Sequence, residues 1–120
     1  MEITGQAVLL RVFIGESDKL GHFPLYEAIV KRARDADLAG ATVLKGVLGF
    51  GATARIRTHK ILDLSADLPL VIEIVDEEHK ITAFQDSLSE MFEQAGCGGL
   101  VTLESVQVIH YLPGTKKAAQ

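Results

Sequence analysis

The chain has 120 residues, 48% of them hydrophobic and 23% charged, and a formal net charge of −4. This composition predicts a globular protein and excludes a disordered one, while the acidic balance disfavours a nucleic-acid-binding protein. No apolar run is long enough to span a membrane, and the N-terminus lacks the pattern of a secretory signal. We expect one domain over residues 1–114, a disordered tail over residues 115–120 and, with Cys97 as the single cysteine, a cytoplasmic location.

The order of apolar and turn-forming segments predicts the elements β-α-β-β-α-β. Strands are expected at Gln6–Ile14, Thr42–Leu48, Leu70–Val75 and Leu100–Tyr111, the last with a break near Glu104–Ser105 left open. A further β-like segment, Arg55–Leu62, either pairs back on the second strand or projects as a loop. This order is typical of the ferredoxin-like fold, an α+β sandwich with two helices on one face of an antiparallel sheet.

Each predicted helix rests on an apolar stripe with a period near 3.6. The first stripe consists of Leu25, Ile29, Ala33 and Ala36. The second consists of Ile81, Phe84, Leu88, Met91 and Ala95. Pro24 suits the first turn of the first helix, and Gly40 is its expected C-terminal stop. Asp76 is the expected N-cap of the second helix, and Gly96 is expected to end it.

The strands are apolar on both faces, which has a consequence for assembly. Ala7–Leu10, Val12–Ile14 and Leu70–Ile72 carry no polar alternation, whereas half-exposed antiparallel strands normally do. Two helices cover only one face of the sheet, so we expect an obligate homo-oligomer. The alternative is a monomer with an uncovered apolar sheet, which is disfavoured because large apolar patches are uncommon on monomers.

A cationic stretch with closely spaced glycines follows the first helix. Between Leu38 and Leu62 there is no acidic residue, while four residues are basic: Lys45, Arg55, Arg57 and Lys60. Glycine lets the backbone approach an anion, and nearby Arg or Lys side chains neutralise it, so this stretch suits a phosphate-bearing ligand. Two structural interpretations stay open: a solvent-exposed hairpin whose charges keep it soluble, and glycines that serve a strand bend.

Catalytic and metal-binding patterns are missing from the sequence. The serines lie in no nucleophile-elbow motif, and Cys97 lies among glycines with no recognisable base, so we expect a spectator thiol. The four histidines, which are His22, His59, His79 and His110, lack the spacing of structural zinc ligands. We therefore predict no catalytic residue and no metal ligand.

Four segments in this order resemble the PII-like proteins grouped as domain of unknown function family 190: Pro24–Val30, Ala39–Ala52, Asp67–Ile81 and Gly99–Ile109. The resemblance covers the chain from about Val8 to Tyr111. It implies a ferredoxin-like fold, a homotrimer, and kinship to the PII nitrogen-signalling and CutA proteins. It also implies that the protein binds an adenine nucleotide (AMP, ADP or ATP) between subunits, and many members are encoded near a fluoride-exporting channel.

The glycines and the aromatic residue of Gly46–Gly51 resemble the entry to the PII T-loop, which contacts both nucleotide and target. The predicted nucleotide-binding residues are therefore Lys45, Gly46, Gly49, Phe50, Gly51, Arg55, Arg57, His59 and Lys60, with Lys19 and His22 joining from a neighbouring subunit. Two departures from PII stand out. The segment after Gly51 is short for a T-loop and lacks a tyrosine, and the loop Gly96–Gly99 lacks the basic residue of the PII phosphate loop.

Kinship to PII implies a regulator of a partner such as a membrane transporter or channel, with no enzymatic activity. In this interpretation, the cationic segment Ala52–Lys60 is mobile without ligand and becomes ordered when a polyphosphate neutralises it. The alternatives are a small-molecule enzyme of the dimeric α+β type and a CutA-like metal-binding protein.

Overall fold

A computed structural model describes residues 5–51, 56–58 and 67–114 of the chain. Its elements are β1 (Gly5–Gly15), β2 (Lys19–Leu20), β3 (Phe23–Pro24), α1 (Leu25–Asp35), β4 (Thr42–Lys45), β5 (Leu48–Gly49), β6 (Arg57–Thr58), β7 (Pro69–Asp76), α2 (Glu78–Ala95) and β8 (Leu100–Val108). The main sheet has the antiparallel order β4-β7-β1-β8. The predicted ferredoxin-like fold is confirmed. No helix of the described residues combines the length and the apolarity needed to cross a membrane.

One face of the sheet packs against both helices and forms the core. Alternate residues of β1 and β7 point to this side and are buried: Leu10, Val12, Ile14, Leu70, Ile72 and Ile74. The helices contribute Leu25, Ile29, Ala33, Ile81, Phe84, Leu88 and Met91. The two predicted stripes are confirmed except at Ala36, which lies beyond the end of α1 and is exposed.

Helix α1 ends earlier than the sequence predicts. It stops at Asp35, and Asp37 adopts the left-handed conformation with φ of 62°. The N–H of Leu38 donates to the carbonyl oxygen of Ala33 at 3.1 Å, which closes the last turn. The prediction of Gly40 as the stop was wrong because aspartate also tolerates the left-handed region. The prediction for α2 is confirmed, since Gly96 follows its last turn with φ of 66°.

Two predicted strands end three residues earlier in the structure, whereas the other two each extend one residue further at both ends. β4 ends at Lys45 and not at Leu48, because its neighbour β7 begins at Pro69, which has no N–H to continue the ladder. Beyond β4, the two residues of β5 pair with the two residues of β6, so part of the predicted β-like segment does pair back. β8 pairs with β1 without a break at Glu104–Ser105 and ends at Val108, three residues before the predicted end at Tyr111.

The predicted N-cap, Asp76, does not cap α2. The N-cap residue is Glu77, and its side chain makes no cap hydrogen bond. The Asp76 side chain is fully buried and instead accepts two backbone hydrogen bonds. Its Oδ1 accepts from the N–H of Glu77 at 2.7 Å, and its Oδ2 accepts from the N–H of Ala39 at 2.8 Å. This carboxylate therefore links the start of α2 to the segment that precedes β4.

We expect Asp76→Ala to lower the free energy of unfolding by about 2–4 kcal/mol, because two partly buried N–H groups lose a charged acceptor. Urea unfolding at a fixed protein concentration measures this loss. Asp86→Ala, which removes an exposed carboxylate from α2, is the matched control and should change stability by less than about 0.5 kcal/mol. Equal stability of the two variants would contradict the assigned role of Asp76.

Candidate nucleotide-binding site

Four separate segments of the chain meet at one end of the sheet: Gly15–Asp18, Lys45–Gly51, Asp67–Pro69 and Gly96–Gly99. The N–H of Glu16 donates to the carbonyl oxygen of Leu68 at 2.8 Å, and the N–H of Ser17 donates to Oδ1 of Asp67 at 3.1 Å. The N–H of Gly46 donates to the carbonyl oxygen of Pro69 at 2.7 Å. The first two bonds join the loop after β1 to the residues before β7, and the third holds the base of the glycine-containing stretch against Pro69.

Lys45, the first predicted cation of the site, already has an anionic partner. Its Nζ lies 2.8 Å from Oε2 of Glu16, and the hydrogen bond and charge of Glu16 raise the pKa of Lys45. The other carboxylate oxygen of Glu16 accepts from the N–H of Leu68 at 3.3 Å. A phosphate group that uses Lys45 therefore has to compete with Glu16.

The three glycines of the predicted site have different surroundings. A Cβ atom on Gly46 would lie 3.0 Å from Cγ of Pro69, and one on Gly49 would lie 3.3 Å from the same atom. A Cβ atom on Gly51 would meet no atom of the described residues within 4 Å. Gly46 and Gly49 therefore allow the hairpin base to approach the Pro69 ring, as the strand-bend interpretation requires, whereas Gly51 faces open space.

The hairpin of β5 and β6 presents apolar side chains to solvent. Phe50 is 71% exposed and lies directly before Gly51. Three more exposed apolar residues of this region are Val47, Leu48 and Ile56. The exposed Phe50 ring provides a surface on which a planar ligand ring can stack, and the backbone of Gly51 can be approached by a polar group of the ligand. The local geometry at Phe50 and Gly51 therefore suits the predicted nucleotide.

The predicted cations are only partly within the described residues. Arg57 lies in β6, where its backbone pairs with Gly49, while Arg55, His59 and Lys60 lie outside the described residues. The proposed ordering of Ala52–Lys60 falls mostly outside them as well. Lys19 and His22 are exposed on the small hairpin of β2 and β3, which follows directly from Asp18.

The loop after α2 carries no cation, as the sequence indicates, and its last glycine lies against Phe92. A Cβ atom on Gly99 would lie 2.6 Å from the ring of Phe92, so a side chain there would have to displace that ring. The Cys97 thiol is partly buried, and its pKa is raised first by burial and then by the charge of Asp18. A raised pKa keeps the thiol protonated, which agrees with its interpretation as a spectator.

Sequence reasoning missed the residues that support this site. Glu16 lies in the loop after β1, whereas Asp67 and Pro69 lie about 50 residues later, just before and at the start of β7, and only the fold brings them together. It also missed a cavity of about 350 Å³ at the opposite end of the sheet, lined in part by Thr42, Glu73 and His110. Among residues 5–51, 56–58 and 67–114, no three His, Cys, Asp or Glu side chains are arranged to hold a metal ion.

The family of uncharacterised proteins named DUF190, described as an uncharacterised ACR, matches residues 7–108. The chain belongs to the DUF190 family. A UPF0166 protein of Aquifex aeolicus (strain VF5) is 40% identical over 102 residues, which cover 85% of this chain and 92% of the relative. A UPF0166 protein of Methanocaldococcus jannaschii is 33% identical over 91 residues, which cover 76% of this chain and 83% of the relative.

The fold is also similar to solved structures of CPII, a nitrogen regulatory PII-like protein from Thiomonas intermedia K12. One of these, bound to ADP, AMP and bicarbonate, has a TM-score of 0.67 at 16% identity and covers 88% of this chain and 90% of CPII. Another, bound to ADP and bicarbonate, has a TM-score of 0.65 at 17% identity. The predicted resemblance to PII-like proteins is confirmed at the level of family and fold.

The two kinds of glycine give a matched pair of substitutions. Gly46→Ala should lower the free energy of unfolding by about 1–3 kcal/mol, because the new methyl group is forced against Pro69. Gly51→Ala should leave it unchanged or raise it by up to about 1 kcal/mol, because the site is open and its φ lies outside the left-handed region. Thermal unfolding compares them, and equal destabilisation by both would refute the packing role of Gly46.

The Cys97 thiol should react slowly with iodoacetamide at pH 8, because its raised pKa leaves less thiolate than an unperturbed cysteine has. The urea-unfolded protein provides the reference rate. Asp18→Asn should speed up the reaction of the folded protein, because it removes a neighbouring negative charge and keeps an oxygen for the N–H of Gly15. A folded protein that reacts faster than the unfolded reference would contradict the spectator interpretation.

Proposed function

We propose that this protein is a cytoplasmic PII-like regulatory protein that binds an adenine nucleotide in clefts between the subunits of a homotrimer. The observation that carries the proposal lies directly after β5, where exposed Phe50 and the open backbone at Gly51 precede the cationic residues in the sequence. The likeness of the fold to CPII, which was solved with ADP, supports the same ligand class.

The charges at this end of the sheet favour a site shared between subunits. Lys45 is paired with Glu16, and the acidic residues Asp18 and Asp67 lie in the neighbouring segments. One chain therefore offers little positive charge here apart from the hairpin. A polyphosphate would draw its neutralising charge from Arg55, Arg57, His59 and Lys60, and from Lys19 and His22 of a neighbouring copy.

The sheet supports the oligomer. Its face opposite the helices carries apolar side chains that remain exposed, with Leu44 at 49% and Leu100 at 57%. Contiguous apolar surface of this kind marks an interaction site. Three copies around an axis would cover all three faces, and each junction would bring a neighbouring copy beside a hairpin base.

The exposed hairpin supports regulation of a partner in preference to catalysis. Its apolar residues Val47, Leu48 and Phe50 are exposed to solvent, where a target protein has access to them, and cationic residues follow them in the sequence. We propose that the nucleotide controls the conformation of residues 52–60 and thereby controls docking on a membrane transporter or channel.

Calorimetry should detect binding of at least one of AMP, ADP and ATP. Arg55→Ala should weaken ADP or ATP binding by roughly ten- to a hundredfold, since a charge-assisted contact contributes about 1.5–3 kcal/mol, and it should hardly affect adenosine. Arg34→Ala, an exposed arginine of α1, is the matched control. Absence of heat and of thermal stabilisation with all three nucleotides would refute the nucleotide proposal.

A further inference from the structure

The uncovered face of the sheet is organised in rows that run across the strands. Strand register defines the first row, which is wholly apolar: Leu44, Val71, Phe13 and Leu100. The second row is polar: Thr42, Glu73, Arg11 and Thr102. The third row returns to apolar residues and adds one acid: Val75, Leu9 and Glu104. A polar row therefore separates an apolar row from a row that is apolar except for Glu104, and these three rows contain the charged centre formed by Arg11, Glu73 and Glu104.

Arg11 is the middle of this charged centre. Its Nε donates to Oε2 of Glu73 at 2.9 Å, and its Nη1 donates to Oε1 of Glu104 at 2.9 Å. A guanidinium has five N–H donors, so these two bonds leave donors that bond to no other described residue. Each carboxylate likewise keeps an oxygen that accepts no hydrogen bond from Arg11.

Covering this face changes the energetics of the centre. In water, the remaining donors and acceptors are hydrated, and the side chains of Arg11 and Glu73 are still about one-third exposed. A purely apolar cover would strip that water and leave charged groups without partners, which is strongly unfavourable. A suitable cover has to match the apolar rows with apolar side chains and the polar row with both donors and acceptors.

A second copy of the same face satisfies both requirements. We propose that the Arg11–Glu73–Glu104 cluster is the registration point of the subunit interface, where Arg11 of one copy donates its remaining N–H groups to a carboxylate of another. Glu104, the most exposed member at 59%, is the acceptor best placed to reach out from its own sheet. The inference rests on the homo-oligomer of the proposed function and adds the residues that fix how its subunits meet.

The charge balance gives the proposal its test. Each face carries one cation and two anions, so loss of Arg11 would bury two carboxylates per chain without a partner. Arg11→Met keeps an unbranched side chain of similar apolar reach and should raise the subunit dissociation constant at least roughly a hundredfold. Analytical ultracentrifugation over a dilution series measures this constant.

Replacing the two unpaired carboxylates with amides should restore the assembly that Arg11→Met weakens. The triple variant Arg11→Met/Glu73→Gln/Glu104→Gln should restore assembly to within roughly tenfold of the unmodified protein, because amides tolerate the dehydrated interface without a net charge. Arg34→Met, on the exposed side of α1, should leave assembly unchanged. Circular dichroism reports whether each variant is folded, and the triple variant still decides the question if Arg11→Met fails to fold.

Two outcomes would overturn the inference alone. These are an Arg11→Met variant that assembles like the unmodified protein, and a triple variant that stays dissociated after Arg11→Met has dissociated. An unmodified protein that sediments as a stable 13.0 kDa monomer at micromolar concentration would overturn the oligomer of the proposed function together with it. Calorimetry tests nucleotide binding independently of the interface inference and of the oligomer.

Discussion

The central strands of this sheet are apolar on both sides, and the two helices of the chain cover only one of them. In β1, Leu10 and Val12 point into the helix-covered core and are fully buried, whereas Leu9 and Phe13 point to the opposite face and stay partly exposed. Covering the second face would remove further apolar surface from water, which is the dominant favourable term in most protein association. The chain therefore has the character of a subunit, and the proposals on assembly and ligand binding both depend on this uncovered face.

The elements of the fold are predictable because they rest on local periodicity, whereas their ends depend on remote contacts. The stripe from Ile81 to Met91 identifies α2 from sequence alone, since its spacing keeps one face apolar over several turns. The end of β4 at Lys45 depends on Pro69 in a different strand. The end of α1 depends on the left-handed conformation of Asp37. Glycine adopts this conformation more often than aspartate, so the sequence pattern favours Gly40 as the end of the helix.

The candidate site shows the same division between local pattern and remote partner. The sequence predicts a strand break at Gly49–Gly51, and the structure ends β4 earlier, at Lys45. The composition of this stretch suits an anionic ligand. The sequence gives no sign that Lys45 is paired with Glu16 or that Gly46 packs on Pro69, because these partners are distant in the sequence. Glycine at position 46 is thus explained by packing, which is compatible with a ligand site because the same contact sets the direction in which the hairpin leaves the sheet.

Strand β4 joins the two proposed functions of the molecule. Leu44 points to the uncovered sheet face, and Gly46, two residues later, anchors the hairpin base to Pro69. A neighbouring subunit that packs on Leu44 therefore constrains the strand that carries the ligand site, from the side opposite to the core. A nucleotide that prefers one direction of the hairpin would in turn favour one placement of the subunits. By thermodynamic reciprocity, assembly then strengthens nucleotide binding by the same factor as the nucleotide strengthens assembly.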